Sequence, residues 1–140
     1  MKKKKQIVLA TGVFDILHQE HSNFLKKAKA IGDYLIVGVE SDVRVRHMKG
    51  ESRPVNSQAV RIKNLEDLQI ADEVFLLPEQ FSKPEDHIAL IKKIKPRFLA
   101  VSSHTHHLEK KQAILKQFGG EVVIVHEHNP KISTTKLLQK

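Results

Sequence analysis

Two histidines stand three residues apart in the stretch TGVFDILHQEH, which covers residues 11 to 21. They follow a short apolar run and Gly12, and a pattern with helical periodicity begins just after them. Side chains at this spacing lie on one face of a helix start, where backbone N–H groups and the helix dipole favour anions. His18 and His21 could therefore donate hydrogen bonds to phosphate oxygens and stabilise the charge that develops during phosphoryl attack. Gly12 permits a tight turn and a close approach of the backbone.

The same spacing also has a simpler interpretation. Histidines three residues apart can cap a helix or lie on a protein surface without any ligand, and spacing alone is a weak motif. The surrounding elements must therefore decide whether the pair lies where a ligand binds.

Strand and helix patterns alternate along the chain. Five short apolar runs predict buried strands, and the segments between them have helical periodicity. This alternation predicts an α/β fold, a Rossmann-like doubly wound sheet of five parallel strands in a single domain. Ligands of such sheets bind beyond the carboxyl ends of the strands, which is where residues 11 to 21 fall. The predicted strands are residues 7–10, 34–39, 74–77, 98–101 and 122–125.

Capping residues mark the predicted helix starts. Helices are expected from about Ser22, after Asn56 or Ser57, from Pro84, from about Leu108 and after Ser133 or Thr134. Residues 41 to 56 are polar and basic and contain Gly50 and Pro54, so they predict a loop.

Composition narrows the classes of partner. The 140 residues carry a formal net charge of +8, which suits nucleotides and phosphosugars, while one Tyr and no Trp argue against nucleic acid. Residues 1–5 predict a basic disordered tail and residues 6–140 the folded domain. The chain has no cysteine, and no apolar run approaches the ~20 residues of a membrane span. We therefore expect no membrane association and a cytoplasmic location.

Several motifs in chain order resemble one family. Gly12-Val13-Phe14-Asp15-x-x-His18-x-x-His21 is similar to the nucleotidyltransferase superfamily with a His-x-Gly-His motif. Its cytidylyltransferase-like branch includes glycerol-3-phosphate cytidylyltransferase, archaeal FAD synthetase and the adenylyltransferase of ADP-heptose synthesis. AKAIGDYLIVGVESD resembles the second strand of the family and its lead-in, KGESRPVN resembles the heptose branch, and ISTTKLL resembles the C-terminal phosphate-binding helix start. The resemblance extends from about residue 6 to the C-terminus.

The resemblance implies a role for each matching position. The implied catalytic residues are His18 and His21, which contact the triphosphate, and Lys49, which binds phosphates of both substrates. The backbone of Val13 and Phe14 would contact the nucleotide, and Asp15 would hold the turn that contains them. The full set of implied nucleotide-binding residues is Gly12, Val13, Phe14, Asp15, His18, His21, Arg61, Ser133, Thr134 and Thr135.

The implied reaction joins two phosphate compounds. A phosphate of a small phosphorylated substrate attacks the α-phosphorus of a nucleoside triphosphate, ATP or CTP, and pyrophosphate leaves. Mg²⁺ screens the triphosphate, and catalysis consists of positioning and charge stabilisation without a covalent enzyme intermediate. The resemblance also implies a homodimer.

Three segments depart from the family pattern. Glu20 stands where the family has glycine. A carboxylate a few ångströms from a triphosphate repels it and weakens its binding by about 1 to 4 kcal/mol. The family has a glycine-rich acidic segment after the fourth strand, whereas residues 101–107 read VSSHTHH. Residues 128–131 read HNPK where the cytidylyltransferases have Arg-Thr-Glu-Gly, which argues against strict CTP recognition.

The histidines at 104, 106 and 107 also raise the question of a metal site. No cysteine or well-spaced acid completes a ligand set around His104, His106 and His107, so we favour a substituted substrate loop and predict no metal ligands. Three functions stay open. They are an enzyme that makes a nucleotide-activated sugar or polyol, another small transferase such as an FAD synthetase-like or glycerol-3-phosphate cytidylyltransferase-like enzyme, and a non-catalytic nucleotide or phosphate sensor. Glu20 and the altered loop favour the sensor, whereas the intact motif residues favour the two enzymes, of which the first is the leading interpretation. These motif residues are His18, His21, Lys49, Arg61, Ser133 and Thr134.

Overall fold

One parallel sheet of five strands organises the computed structural model, which describes residues 5–103, 105 and 107–126. The strands are β1 (Ile7–Gly12), β2 (Tyr34–Val39), β3 (Glu73–Leu76), β4 (Phe98–Ser102) and β5 (Glu121–His126). Their order across the sheet is β3-β2-β1-β4-β5, so β1 lies in the centre, with Leu9 opposite both Ile36 and Leu99. The topology confirms the predicted Rossmann-like α/β fold.

Helices cover both faces of this sheet. Within the described residues they are α1 (Gln19–Ala30), α2 (Asp42–Lys49), α3 (Gln58–Asp67), α4 (Pro84–Ile94) and α5 (Leu108–Gln117). One apolar cluster joins Val8 and Ala10 of β1 to Leu25 of α1 and Leu65 of α3. A second cluster on the opposite face joins Leu9 of β1 to Ile91 of α4 and Leu115 of α5. Burial on both faces explains why the strands read as continuous apolar runs.

Helix α2 corrects the prediction of a loop over residues 41 to 56. The hydroxyl of Ser41 accepts a hydrogen bond from the amide of Arg44 at 3.1 Å and caps the helix, and Val45 is buried as its apolar anchor. Gly50 ends the helix with a φ of 100°. The prediction was wrong because the apolar residues of this short helix, Val43, Val45 and Met48, are separated by charged residues and give no clear helical periodicity.

The element starts agree with the predictions to within a few residues. Ser57 caps α3, and Pro84 lies in the first turn of α4. Helix α1 starts earlier than the predicted Ser22, at Gln19, because His18 caps it. The predicted cap at Ser133 or Thr134 and residues 1–4 of the predicted tail lie outside the described residues.

Two further observations concern the start of the chain and membranes. Lys5, the last residue of the predicted tail, is exposed, and its ammonium group lies 4.8 Å from the centre of the Tyr34 ring. In the described part of the chain, no helix is long and apolar enough to cross a membrane.

Candidate active site

A cavity of about 350 Å³ opens where the carboxyl ends of β1 and β4 meet the start of α1 and the end of α2. This is the position that the parallel topology predicts for a ligand. Of the predicted site residues within the described part of the chain, all except Arg61 line it. These are Gly12, Val13, Phe14, Asp15, His18, His21 and Lys49.

The two histidines cap α1 through each other. Nδ1 of His18 accepts a hydrogen bond from the amide of Glu20 at 3.2 Å, and the amide of His18 donates to Nδ1 of His21 at 3.4 Å. The rings stack with their centroids 4.1 Å apart and an angle of 25° between their planes. An Nδ1 that accepts places the hydrogen of the neutral ring on Nε2. Both rings therefore carry their N–H on the nitrogen that is remote from the backbone.

His21 is neutral over the physiological pH range. Burial, followed by the neighbouring His18, lowers the pKa of His21 to about 4, and the carboxylate of Glu20 opposes this change. Phe14 covers one edge of the ring, with centroids 5.6 Å apart. A neutral imidazole is a hydrogen-bond donor that does not lose its proton to a phosphate, so His21 suits a role in binding and polarisation rather than in acid catalysis.

The turn before α1 is shaped by Phe14 and Gly12. Phe14 has a φ of 52°, a left-handed conformation that bulky residues rarely adopt. A Cβ atom on Gly12 would lie 2.9 Å from the Phe14 ring, so only glycine fits beneath it. Strain of this kind persists where the surrounding structure fixes it, often at a binding site.

Asp15 connects this turn to the segment after α2. Its side chain is 1% exposed, and its carboxylate accepts hydrogen bonds from the amides of Val55 at 2.7 Å and Asn56 at 2.8 Å. The amide group of the Asn56 side chain returns a bond to the Asp15 carbonyl at 2.8 Å. Nε of Arg53 lies 3.3 Å from the same carboxylate. Asp15 thus holds residues 53–56 against the turn before α1.

Arg61, the remaining predicted site residue in the described part of the chain, lies on α3 inside the fold. It is fully buried and does not line the cavity. Its guanidinium donates to the carbonyls of Val13 at 2.9 Å, Glu40 at 2.7 Å and Asn56 at 3.1 Å, and it pairs with Asp42 at 2.7 Å. The guanidinium therefore donates to protein oxygens, and the predicted contact with the triphosphate stays a prediction. Arg61 ties together the segments after β1, after β2 and before α3.

Lys49 and Arg53 place two positive charges at one side of the cavity. Lys49 is the last residue of α2, and burial, followed by the charge of Arg53, lowers its pKa, which Asp15 opposes. The side chain of Arg53 is 10% exposed, and one of its terminal nitrogens is buried without a hydrogen-bond partner in the described residues. Arg53 was not among the predicted site residues, although it lies within the KGESRPVN segment.

Glu20 lines the same cavity from the first turn of α1. Its carboxylate lies close enough to His21 to raise that pKa against the effect of burial. The glutamate that stands where the family has glycine therefore lies inside the site.

The far wall of the cavity comes from the segment after β4. Ser102, Thr105 and Lys111 of α5 line it, and Nζ of Lys111 donates to Oγ1 of Thr105 at 2.6 Å. His107 is exposed at the start of α5, whereas His104 and His106 lie outside the described residues, as do Ser133, Thr134 and Thr135. Among the described residues, no group of three or more His, Asp or Glu side chains could hold a metal ion.

Comparisons with known proteins agree with this geometry. The family profile described as cytidylyltransferase-like matches residues 9–140. The bifunctional protein HldE of Sulfurimonas denitrificans is 40% identical over 136 residues, which are 97% of this chain and 27% of that protein. The bifunctional protein HldE of Campylobacter curvus is 45% identical over 96 residues, 69% of this chain and 19% of that protein.

A solved structure is similar over its whole length. The lipopolysaccharide core biosynthesis protein from Thermoplasma volcanium has a TM-score of 0.71 and 28% sequence identity, and the match covers 90% of this chain and 98% of that one. This chain spans only about a fifth to a quarter of the two HldE proteins. The family match confirms the predicted resemblance and the predicted class of enzyme, a nucleotidyltransferase.

Proposed function

The chain belongs to the cytidylyltransferase-like family, and we propose that it transfers a nucleotidyl group from ATP to a phosphorylated sugar or polyol. One observation carries the proposal, namely the stacked His18–His21 pair at the N-terminus of α1, inside a cavity of about 350 Å³. That volume lies within the range of sites for small molecules, roughly 300 to 1,000 Å³.

The proposed step is a substitution at phosphorus. An oxygen of the acceptor phosphate forms a bond to the α-phosphorus of the triphosphate, and the bond from that phosphorus to the bridging oxygen of pyrophosphate breaks. The electron pair leaves with pyrophosphate. The Nε2–H groups of His18 and His21 and the positive end of the α1 helix dipole stabilise its growing negative charge. Lys49 adds a positive charge beside the same phosphates.

Mg²⁺ would remain mainly on the triphosphate, which is how this ion binds in most nucleotide sites. Among the described residues, two carboxylates line the cavity, and both oxygens of one of them, Asp15, already accept hydrogen bonds from the protein. Glu20 is the other carboxylate and is the residue that would hold the ion. When bound, Mg²⁺ would screen the charge of the triphosphate.

Three observations favour ATP and a sugar phosphate over other substrates. The segment HNPK at 128–131 departs from the cytidylyltransferase pattern, and KGESRPVN resembles the heptose adenylyltransferases. The similar structure from Thermoplasma volcanium is named for lipopolysaccharide core biosynthesis, which is sugar chemistry. We further propose a homodimer that acts in the cytoplasm, where nucleoside triphosphates are available.

A second candidate is a nucleotide sensor without turnover. Its supporting observation is Glu20, which brings a negative charge into the cavity beside the histidine pair. Such a protein would bind ATP and release no pyrophosphate.

A pyrophosphate-release screen separates these functions. Each nucleoside triphosphate is offered with a panel of sugar and polyol phosphates, and ATP affinity is measured in parallel by calorimetry. We expect release with ATP and a sugar phosphate, lost in the double variant His18→Ala/His21→Ala and retained in His47→Ala, whose histidine is exposed on α2 outside the cavity. ATP binding without release from any pair would favour the sensor, and the absence of both would contradict the two candidates.

A further inference from the structure

Lys111 is a half-buried positive charge at the wall of the cavity opposite the histidines. It lies on α5 and lines both the main cavity and a small recess of about 30 Å³ beside it, between α4 and α5. Burial lowers the pKa of Lys111. Among the described residues no carboxylate lies within ion-pairing distance of it, whereas Arg53 in the same cavity is paired with Asp15.

The neighbours of Lys111 fix its position without neutralising it. Oγ1 of Thr105 accepts one ammonium hydrogen at 2.6 Å, which leaves two donors of the group for other oxygens. His87 lines the recess together with Lys111, and burial, followed by the charge of Lys111, lowers the pKa of His87. The hydroxyl of Thr105 holds the ammonium group, and neither this hydroxyl nor a neutral imidazole supplies a negative charge to balance it, which is the arrangement of an anion site.

The fold decides which anion reaches this point. The two histidines lie at the start of α1. This helix packs on one face of the sheet through Leu25, whereas α5 packs on the opposite face through Leu115. In an in-line displacement the attacking and leaving oxygens lie on opposite sides of the phosphorus. If the leaving pyrophosphate lies at the N-terminus of α1, the attacking phosphate approaches from the α5 side.

We propose that Lys111, positioned by Thr105, binds the phosphate group of the acceptor substrate on the α5 side of the cavity. The inference rests on the proposed function, because it takes the triphosphate to occupy the histidine side. It assigns the acceptor as a phosphate monoester and gives the altered segment after β4 a function in acceptor recognition.

Inorganic phosphate serves as the probe, titrated by calorimetry into protein that is saturated with a non-hydrolysable ATP analogue. Lys111→Met keeps most of the packing of the side chain and removes its charge, and Lys110→Ala removes an exposed charge from the neighbouring position of α5. A hydrogen bond to a charged group corresponds to about a 10- to 100-fold change in affinity. We therefore expect Lys111→Met to weaken phosphate binding at least about ten-fold, Lys110→Ala to leave it unchanged, and Lys111→Arg to restore part of it.

The affinity of the ATP analogue separates the possible failures. We expect the affinity of Lys111→Met for the ATP analogue to stay within about two-fold of that of the parent. This change is smaller than the one caused by losing a hydrogen bond to a charged group. A parallel loss of analogue and phosphate affinity would assign Lys111 to the triphosphate and overturn the inference. Unchanged phosphate affinity in Lys111→Met would overturn it as well, with the proposed function intact. A parent protein that does not bind the analogue would instead overturn the proposed function, and the acceptor role with it.

Discussion

The amide of His18 donates to Nδ1 of His21 at 3.4 Å while the two rings stack 4.1 Å apart, so each histidine helps to fix the orientation of the other. The simple interpretation of this spacing as a helix cap is therefore correct for Nδ1 of both rings. It does not exclude the ligand-binding interpretation, because each ring keeps its hydrogen on Nε2. One pair of residues can thus start α1 and present donors to a phosphate.

Substitutions at His18 can separate these two functions. His18→Ala removes the cap and should lower the free energy of unfolding by about 1 kcal/mol, whereas His18→Asn supplies a side chain that caps helices well. We expect both variants to bind ATP more weakly than the parent, because both lack the Nε2–H donor. Thermal unfolding and calorimetric ATP titration measure the two effects. If His18→Asn binds ATP as tightly as the parent, the ring has only its capping function.

Arg61 should affect stability rather than ATP binding. Arg61→Ala would leave three carbonyls and Asp42 without their donor. Breaking a fully buried ion pair costs about 3 to 5 kcal/mol, and this is the upper limit here because Asp42 is 26% exposed. Chemical denaturation should show this loss, while Lys63→Ala, an exposed position on the same helix, should change the free energy of unfolding by less than about 0.5 kcal/mol. A stable Arg61→Ala protein with weakened ATP affinity would instead support the predicted contact with the triphosphate.

Lys49 is expected to contact the triphosphate. Lys49→Ala should weaken ATP binding and make it less sensitive to ionic strength, because one of the charges that salt screens is removed. Arg46→Ala is the matched control, since Arg46 is an exposed cation in the last turn of the same helix. ATP titrations at several salt concentrations compare the three proteins. Equal affinities and equal salt slopes for Lys49→Ala and the parent would assign Lys49 to the surface.

The low pKa of His21 makes stability depend on pH. The group has a pKa of about 4 in the folded protein and 6.5 as its ordinary value, so the unfolded chain binds more protons between these limits. The free energy of unfolding should therefore fall as pH falls from 6.5 towards 4, by up to about 3 kcal/mol at 1.36 kcal/mol per pKa unit, and stay constant with respect to this group above 6.5.

A difference between variants isolates this contribution from that of the carboxylates. The loss of stability between pH 7 and pH 5 should be smaller in His21→Gln than in the parent, whereas His47→Gln should match the parent because His47 is exposed. Urea denaturation at both pH values measures it. Equal losses in all three proteins would mean that His21 titrates near its ordinary value.

The sequence predicts the sheet well because its strands are buried on both faces and read as apolar runs. It also places His18, His21 and Asp15 at the ligand edge, since the carboxyl end of β1 follows from topology. It cannot show the position of Arg61, because the acceptors of this guanidinium come from three separate segments that only the tertiary fold brings together. Arg53 and Lys111 were missed for the same reason, since charged residues in a polar loop or helix read as solvated until their burial is known.

Glu20 brings a carboxylate into a site that must bind several phosphate oxygens. Its charge influences His21, so the same field acts on a triphosphate at the N-terminus of α1. We expect Glu20→Gly to tighten ATP binding about ten-fold, which corresponds to ~1.4 kcal/mol and lies within the Coulomb energy of nearby charges at a protein surface. Any pyrophosphate release should increase with it. Glycine in the first turn also weakens the helix, by up to about 1 kcal/mol, so a second variant is needed.

Glu20→Gln separates the charge from the bulk of the side chain. It keeps the size and the helix propensity, and so it should give most of the increase in ATP affinity if repulsion is the cause. Titrations with and without Mg²⁺ distinguish repulsion from the alternative that Glu20 holds the ion. Repulsion predicts tighter binding of metal-free ATP in both variants, because the uncovered triphosphate has the greater negative charge. If both variants bind Mg²⁺-ATP more weakly than the parent and metal-free ATP equally well, Glu20 is a ligand of the ion, and its presence in place of glycine is an adaptation rather than a handicap.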